Sequence, residues 1–528
     1  MFNRTSQHCA TALVSLASLS LLAGCGLIPG DSGDGGGKIS VGTTSSPVAL
    51  DPALSWDNSW ELFRNVFQTL LSFPTGSTVP EPDAAEVCEF TDSTNTVLSC
   101  RLREGLKFSN GDEVDAAAVK YSIDRIRKIN EPGGPAGLLG SLDKIETKGA
   151  LEVLFRLKKP DVTFPFVLAT PAMSIVPPAE YPQDRARDDG KITGSGPYTL
   201  KSYEKHDRAE LAKYRDYKGF ADRKNDAVVI RYFDESEAMV KALKDGRIDA
   251  TYRGLTAEEV VALRREQHDG EINVVDTVGL EIRYLVFNPA FPGPDEPAVR
   301  RAIAQVVNRD ALVDRVYRGT AEPLYSMVPK GIVGHTPSFF DTYGEPDAKE
   351  ARRILRQAGV TAPVKLTFWY TTDRYGSSTA REFAELKRQL DGSGLFEITL
   401  RSKPWDDFQK SFNKGEFPVF GRGWFPDFPD PDNFIAPFVG DRTATGTPYR
   451  QDEITRKLLP RSRGVKDRGA VAEGVVRAQE ILVKDVRLLP LWQGKMYVAV
   501  AEDIAGAERS LDPQSVMQMW ELSRKTSW

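Results

Sequence analysis

Strand and helix patterns alternate through the second half of this chain. Asp347 and Glu350 have the spacing of a capping box, and the helix that follows carries Ile354 and Leu355 and ends at Gly359. Beyond it the sequence predicts, in order, a strand over 364–370, a helix over 377–390, a strand over 396–401, a helix over 405–413 and a strand over 418–424. Alternation of this kind predicts an α/β domain whose ligands bind at loops beyond the strand ends or between domains.

The first half of the chain contains the same two kinds of pattern. A strand is expected over 38–43, and a helix begins near Trp60, behind the N-capping residues Asp57 and Asn58, with an apolar face that extends to Leu71. A chain of 528 residues corresponds to about three domains. Further predicted elements are a hairpin over 97–108, a helix capped at Asp115 that carries Val119, Ile123 and Ile126, a strand over 151–157, a strand that begins at Tyr198, and a helix with Pro297 at its first position.

The charge balance excludes one class of function. The chain has 69 Lys and Arg against 74 Asp and Glu, so its formal net charge is −5. A nucleic-acid-binding protein normally has a basic excess, so no nucleic-acid partner is expected. Charged residues make up 27% and apolar residues 41% of the sequence, which is typical of a folded globular protein.

The N-terminal segment has the form of an export signal. Arg4 precedes an apolar run of small residues over 10–24, and the run stops at Cys25. Leu22-Ala23-Gly24-Cys25 resembles the bacterial lipobox, which implies cleavage after residue 24 and lipid attachment at Cys25. The Gly-rich stretch up to Gly37 is then a flexible leash (residues 25–37) between the lipid and the folded body. The expected location is outside the cytoplasmic membrane, anchored by lipid.

Export also bears on the two remaining cysteines of the body. Cys88 and Cys100 flank a turn-rich stretch, residues 92–95, between two segments with strand patterns. In an oxidising compartment we expect a disulfide between them, and two buried free thiols are the alternative. Either role is structural.

The usual catalytic motifs are missing from the sequence. His206, His268 and His335 lie far apart and have neither metal-ligand nor triad spacing, so no metal or cofactor is expected. The sequence contains no nucleophile elbow and no phosphate-binding loop. A cell-surface hydrolase that uses paired carboxylates is the alternative that the sequence leaves open.

Four segments of the chain carry a recognisable set of motifs. They are residues 102–111 (LREGLKFSNG), residues 194–198 (GSGPY), residues 299–310 (VRRAIAQVVNRD) and residues 423–434 (GWFPDFPDPDNF). In this order they resemble one family, the extracellular solute-binding proteins, family 5, which are the substrate-binding lipoproteins of peptide-type ABC importers. The resemblance extends over about residues 38–500.

The resemblance implies an α/β fold, the two-lobed periplasmic-binding-protein clamp (class II, mixed sheets) with an extra domain inserted in the first lobe. It places lobe I at residues 38–75, 193–278 and 497–528, the inserted domain at 76–192, and lobe II at 279–496. Lobes of this kind close over a ligand by hinge motion. The expected partners are a short peptide or similar small solute, an ABC permease and, through it, an ATPase, and the protein is expected to be a monomer.

The resemblance also implies ligand-binding residues. The Asp three residues after the Trp of the fourth segment pairs with the ligand's α-ammonium in peptide-binding relatives, which indicates Asp427 beside Trp424. Asp430 and Asp432 are interpreted as turn residues, with a helix beginning near Phe434.

The segment 371–381 resembles the one that supplies an Arg for the ligand's C-terminal carboxylate, which indicates Arg374 with Tyr375 beside it. Arg422 is the alternative, because alternation places it on one strand face with Phe420 and Trp424. Trp405 matches an aromatic residue that borders the pocket, or it belongs to the apolar face of its helix. Ser55, Trp56 and Asp57 are weaker candidates in lobe I.

The predicted function is therefore capture of short peptides between two lobes for delivery to a permease, without enzymatic activity. Receptors for oligosaccharides or metal complexes occur in the same family and remain alternatives.

Overall fold

A mixed sheet of eleven strands organises the chain, within the residues that the computed structural model describes, namely 37–54, 59–267 and 270–525. The strands of these described residues are β1 (Lys38–Thr43), β2 (Leu71–Ser72), β3 (Glu81–Pro82), β4 (Ala85–Phe90), β5 (Val97–Leu102), β6 (Leu142–Lys148), β7 (Glu152–Leu157), β8 (Tyr198–Glu204), β9 (Arg208–Lys213), β10 (Ala227–Tyr232), β11 (Ala250–Thr251), β12 (Ile272–Phe287), β13 (Ala321–Pro323), β14 (Val364–Thr371), β15 (Phe396–Lys403), β16 (Val419–Trp424), β17 (Leu488–Ala501), β18 (Ile504–Ala505) and β19 (Ser523–Arg524).

The α-helices cover both faces of this sheet. In the same described residues they are α1 (Trp60–Val66), α2 (Ala116–Ile129), α3 (Phe164–Leu168), α4 (Ser236–Lys244), α5 (Ala257–Glu266), α6 (Pro297–Val306), α7 (Arg309–Leu312), α8 (Ser338–Tyr343), α9 (Ala348–Gln357), α10 (Ser378–Gly392), α11 (Trp405–Asn413), α12 (Leu459–Arg463) and α13 (Ala472–Asp485).

Two long antiparallel strands, β12 and β17, run through both halves of the sheet. Their pairing extends from Ile272 opposite Ala501 to Val286 opposite Leu488, with an interruption between Val278 and Ile282. At the interruption the two backbones lie close together, since a Cβ on Gly279 would be 2.7 Å from the carbonyl oxygen of Gly494. The two halves of the sheet are therefore joined by two continuous strands. Their pairing is irregular at the point where they pass from one half to the other, which is where a hinge would lie.

On one side of this crossing, β1 pairs in parallel with β10 and β11, and the β8–β9 hairpin extends the sheet. On the other side, β14 pairs in parallel with β15 and β16, and β16 pairs with the second half of β12. Phe383 of α10 packs on one face of this second half, and Phe408 and Phe412 of α11 pack on the other. Each half is an α/β layer with its own apolar core, and we refer to them as the first lobe and the second lobe.

A separate antiparallel sheet of four strands, in the order β4-β5-β7-β6, lies between β3 and β8 in the sequence. Ile123 and Ile126 of α2 pack against it, and its core is continuous with that of the first lobe. Cys88 and Cys100 form a disulfide across the paired strands β4 and β5. The fold is thus the predicted α/β fold of two lobes with an additional unit attached to the first, and the predicted disulfide is present.

The predicted strands of the second lobe agree closely with the structure, and three other predictions, one of them in the same lobe, are wrong. The helix at Trp60 ends at Val66, because Phe67 is extended and the Val66 carbonyl accepts a hydrogen bond from Gly196 N–H at 3.0 Å. A Cβ on Gly196 would be 2.5 Å from the Val66 carbonyl carbon, so the Gly-rich turn at 194–196 makes a close backbone approach there.

The second and third corrections concern pairing and helix type. The predicted hairpin over 97–108 is absent, because β5 pairs instead with β4 before it and β7 after it. The helix expected near Phe434 is a short 3₁₀ turn, Pro431–Phe434, capped by Asp430.

Replacing both Cys88 and Cys100 by Ser is expected to lower the free energy of unfolding by about 3 kcal/mol, because the disulfide closes a loop of about a dozen residues in the unfolded chain. Urea unfolding with and without a reducing agent measures this. The double variant should be insensitive to the reductant, and a wild-type protein equally insensitive would contradict the prediction.

Candidate functional site

The strand β16 delivers a short loop to the space between the lobes. Phe420, Arg422 and Trp424 lie on the α11 side of the strand, as alternation predicts, while Gly421 and Gly423 face α10 and Arg283. We call residues 425–430 the interlobe loop, because it contacts the first lobe directly. The side-chain amide of Gln514 donates a hydrogen bond to the Asp427 carbonyl, and the ring of Phe428 lies 6.0 Å from that of Phe166.

Asp427 has an unusual environment for a carboxylate. Asn433 Nδ2 donates to Asp427 Oδ2 at 2.9 Å, and the Asp427 N–H donates to Asn433 Oδ1 at 2.9 Å. Burial raises the pKa of Asp427 to about 6, and the Asn433 hydrogen bond opposes this shift. Within the described part of the chain no Lys or Arg forms an ion pair with it.

Two buried carboxylates elsewhere in the chain, Asp83 and Asp512, show how the environment of Asp427 differs. Burial also raises the pKa of Asp83 and of Asp512 to about 6, but the positive charge of Arg64 lowers both. Arg64 Nε lies 3.6 Å from Asp512 Oδ2. Asp427 lacks a comparable protein cation in the described residues, so it is suited to a cation that comes from outside.

An aromatic cluster lies next to the interlobe loop. The ring of Tyr375 stacks on that of Phe425, with centroids 6.5 Å apart, and meets the ring of Trp405 edge-on at 5.8 Å. The guanidinium of Arg374 lies 5.4 Å from the Trp405 ring and 5.9 Å from the Phe425 ring. Phe425 is 44% exposed, which is high for an aromatic side chain with so many aromatic neighbours.

Arg422 and Trp424 point toward the core of the second lobe. Arg422 Nη1 donates to the Ala444 carbonyl at 2.7 Å, and its guanidinium lies 4.2 Å from the Phe412 ring. Trp424 Nε1 donates to Asn433 Oδ1 at 3.2 Å, so the indole helps to fix the same Asn that contacts Asp427. The structure therefore brings all six predicted ligand residues into one region: Asp427, Trp424, Arg374, Tyr375, Trp405 and Arg422.

Arg283 of β12 packs against the Tyr375 ring of this region. Its guanidinium lies 3.5 Å from the centroid of the Tyr375 ring, and its Nη2 lies 2.5 Å from Glu281 Oε1. Arg283 is opposite Gly423 in the sheet, and a Cβ at that position would be 1.8 Å from Arg283 Nη1. Gly423 thus leaves the space that a buried guanidinium occupies under the Tyr375 ring.

Sequence reasoning missed four residues of this site: Phe425, Asn433, Arg283 and Gln514. Arg283 had a usable signal, a charge within the strand pattern of residues 280–287. Gln514 had none, because it is 87 residues from its partner Asp427. Cys25, Ser55, Trp56 and Asp57 lie outside the described residues.

The described residues show neither a metal-binding cluster nor a membrane-spanning helix. They contain no group of three or more His, Cys, Asp or Glu placed to hold a metal ion. None of their helices is both long enough and apolar enough to span a bilayer.

Two α/β lobes joined by strands that run through both, with a polar and aromatic region at their junction, are typical of a solute-binding protein of the periplasmic type. The sequence model of the bacterial extracellular solute-binding proteins, family 5 Middle, matches residues 79–446, and the chain belongs to this family. Its members bind solutes, so the function is binding rather than catalysis.

Individual proteins resemble this chain over most of its length. It is 26% identical over 488 residues to the probable D,D-dipeptide-binding periplasmic protein of Escherichia coli, covering 88% of this chain and 90% of that protein. It is 25% identical over 493 residues to the dipeptide-binding protein of Pseudomonas aeruginosa, covering 87% and 90%. The solved structure of a Helicobacter pylori ABC transporter-associated periplasmic binding protein in complex with the peptide STSA has a TM-score of 0.77 at 24% identity, over 93% of this chain and 99% of that one.

Proposed function

We propose that this protein captures short peptides between its two lobes and delivers them to the permease of an ABC importer. The observation that carries the proposal is Asp427, a half-buried carboxylate at the lobe junction for which the described residues offer no ion-pair partner. A peptide α-ammonium supplies the missing cation, and a charge-assisted hydrogen bond of this kind contributes about 1.5–3 kcal/mol. The peptide-binding activity of the relatives named above supports the same ligand class.

Arg374 is our candidate for the other end of the peptide. Its planar guanidinium can bind a carboxylate through two parallel hydrogen bonds, and it lies within 6 Å of both the Trp405 and the Phe425 rings. Arg422 is the alternative, since its guanidinium also lies beside the Trp405 ring, at 5.6 Å. Tyr375, Phe425 and Trp405 would then contact ligand side chains.

The division of the chain into domains and its anchoring belong to the same proposal. We place lobe I at 38–75, 193–278 and 497–528, the inserted domain at 76–192 and lobe II at 279–496. The crossing of β12 and β17, and the position of the small sheet between β3 and β8, support these bounds. We further propose a monomer held at the membrane by lipid on Cys25, which mass spectrometry of the membrane-extracted protein would test.

Isothermal titration calorimetry tests the ligand class. The dipeptide Ala-Phe should bind, its N-acetyl and C-amide forms should bind at least about tenfold more weakly, and the peptide should be recovered uncut. Because Asp427 must be ionised to bind an ammonium, the affinity should be constant from pH 7.5 to about pH 6 and fall by up to about tenfold per pH unit below that.

Equal binding of the blocked and free peptides would contradict the proposal. So would binding of a neutral oligosaccharide or a nickel chelate in place of peptides, or cleavage of the peptide.

A further inference from the structure

Two arginines hold the turn that follows the interlobe loop. Arg463 binds Asp432 through two hydrogen bonds, Nε to Oδ2 at 2.8 Å and Nη2 to Oδ1 at 2.7 Å. Arg468 binds Asp430 in the same way, at 2.7 and 2.9 Å. Asp430 and Asp432 are 1% and 5% exposed, so both carboxylates are shielded from solvent, and bidentate pairs of this kind are strong and geometrically specific.

Arg463 and Arg468 lie in one short segment, residues 462–468, which we call the arginine segment. This segment also contacts residues of the four-stranded sheet and of the chain next to it. The Val162 N–H donates to the Arg463 carbonyl at 2.9 Å, and Asn95 Nδ2 donates to the Gly464 carbonyl at 2.9 Å. Lys466 Nζ lies 5.6 Å from the ring of Phe90, at the end of strand β4. The tip of the disulfide-bonded β4–β5 hairpin therefore touches the segment that holds Asp430 and Asp432.

The turn in question also carries the residue that orients Asp427. Asn433 directly follows Asp432 in the 3₁₀ turn Pro431–Phe434, and it is the side-chain donor to the Asp427 carboxylate. Hydrogen bonds and neighbouring residues of the chain thus form a continuous path. The path runs from Asn95 and Val162, through Arg463 and Asp432, to Asn433 and Asp427. Each step is a direct contact of 3.0 Å or less between named atoms or a step along the chain within one turn.

We propose that Arg463 and Arg468 are positioning residues for Asp427, and that the hairpin tip at Asn95 takes part in ligand binding through them without touching the ligand. The inference rests on the proposed function, since it assumes that Asp427 binds the ligand. The hairpin contacts the arginine segment at 462–468 across the junction of the lobes, so the contact links the position of the small sheet to the geometry of the Asp427 site. The inserted part of the chain thereby helps to set the geometry of the ligand site, although it does not contact the ligand.

Arg463→Gln and Arg468→Gln should each weaken Ala-Phe binding by about tenfold or more, because the turn that holds Asn433 loses its buried ion pair. Asn95→Gly should weaken it by a smaller factor of about threefold, and Gly accepts the positive φ of 55° at this position. Arg477→Gln is the matched control, since Arg477 forms a comparable bidentate pair with Glu453 on a half-exposed surface of the second lobe. Asn130→Gly is the control for Asn95, with a φ of 47° on the exposed end of α2.

A second readout requires no ligand. The Asp427 carboxyl can be titrated by ¹³C NMR in the full-length protein, and Arg463→Gln should raise its midpoint above that of the wild type, because the Asn433 hydrogen bond that lowers the pKa is weakened. A merely structural role of Arg463 would lower the melting temperature without moving this midpoint. Should Arg463→Gln fail to fold, Asn95→Gly gives the same two readouts.

The outcomes separate the two proposals. Unchanged affinity and midpoint in folded Arg463→Gln or Asn95→Gly, or equal losses in the two controls, would overturn the positioning role. A wild-type protein that binds no peptide would overturn the proposed function and the part of the hairpin tip in ligand binding, while the titration would still report whether Arg463 orients Asp427.

Discussion

Asp427→Asn is expected to weaken the binding of a dipeptide with a free ammonium by about 100-fold or more. Removal of one partner from a buried charge pair costs about 2–5 kcal/mol, because the other charge is left without compensation. The amide has nearly the same shape as the carboxylate, and its oxygen can still accept the hydrogen bond from Asn433 Nδ2. The loss should therefore reflect charge rather than a change in the loop, and calorimetry with Ala-Phe measures it.

The same substitution should make the unliganded protein more stable at pH 8. The folded-state pKa of about 6 lies above the ordinary value of 3.8, so folding favours the protonated form relative to the unfolded chain. The stabilisation that protonation provides is complete below pH 3.8, is lost as the pH rises to 6, and is absent above it. Asn removes this penalty, and we expect a gain of about 1–3 kcal/mol at pH 8 and almost none at pH 4.

Asp441→Asn is the matched control, since Asp441 is 75% exposed and pairs with Arg450 at the surface of the same lobe. It should change neither affinity nor melting temperature. If Asp427→Asn loses affinity but gains no stability at pH 8, the carboxylate already has a cation in the free protein, and the argument from its missing partner fails. A gain in stability with unchanged affinity would instead remove Asp427 from the ligand site.

Sequence patterns predicted the second lobe best, and the reason is local. The strands at Val364–Thr371, Phe396–Lys403 and Val419–Trp424 and the helix at Trp405–Asn413 lie within one or two residues of their expected bounds. Each of these elements buries one apolar face against its neighbours in sequence, so periodicity and capping carry most of the information.

The predictions failed where distant parts of the chain decide the structure. The helix at Trp60 is cut short by a turn 130 residues further along the chain, whose Gly196 N–H binds the Val66 carbonyl. Asp430 and Asp432 are turn residues, as their sequence predicts, but their carboxylates also bind Arg468 and Arg463, more than 30 residues away. A local pattern cannot show which Arg will meet which Asp, because the fold sets that pairing.

The candidate site shows the same division. Asp427 and Trp424 were predicted from one segment, and that segment does reach the junction of the lobes. What gives Asp427 its character is the lack of a protein cation in the described residues and the hydrogen bond from Asn433, and both depend on three-dimensional surroundings. The residue types therefore predict where the site lies, whereas the packing around Asp427 sets the pKa of its carboxyl group.

Gly423→Ala is expected to lower the free energy of unfolding by about 2–4 kcal/mol, because the new methyl group displaces a buried guanidinium. The added Cβ would lie 1.8 Å from Arg283 Nη1 and 2.8 Å from Cζ. The Arg283 side chain has little room to withdraw, since Tyr375 covers it at 3.5 Å and Glu281 holds it at 2.5 Å. Urea unfolding measures the loss, and Gly474→Ala in α13, where the structure has open space around the Cβ position, should cost nothing.

A double-mutant cycle separates displacement of Arg283 from other effects of the methyl group. Arg283→Met removes the guanidinium and leaves space for the added methyl group, so Gly423→Ala should cost much less in that background, with a coupling free energy of at least about 1 kcal/mol. Additive losses would show that the methyl group acts elsewhere.

Gly423→Ala should also weaken peptide binding, because the Tyr375 ring packs on Arg283. A destabilised protein with wild-type affinity would mean that the aromatic cluster does not contact the ligand.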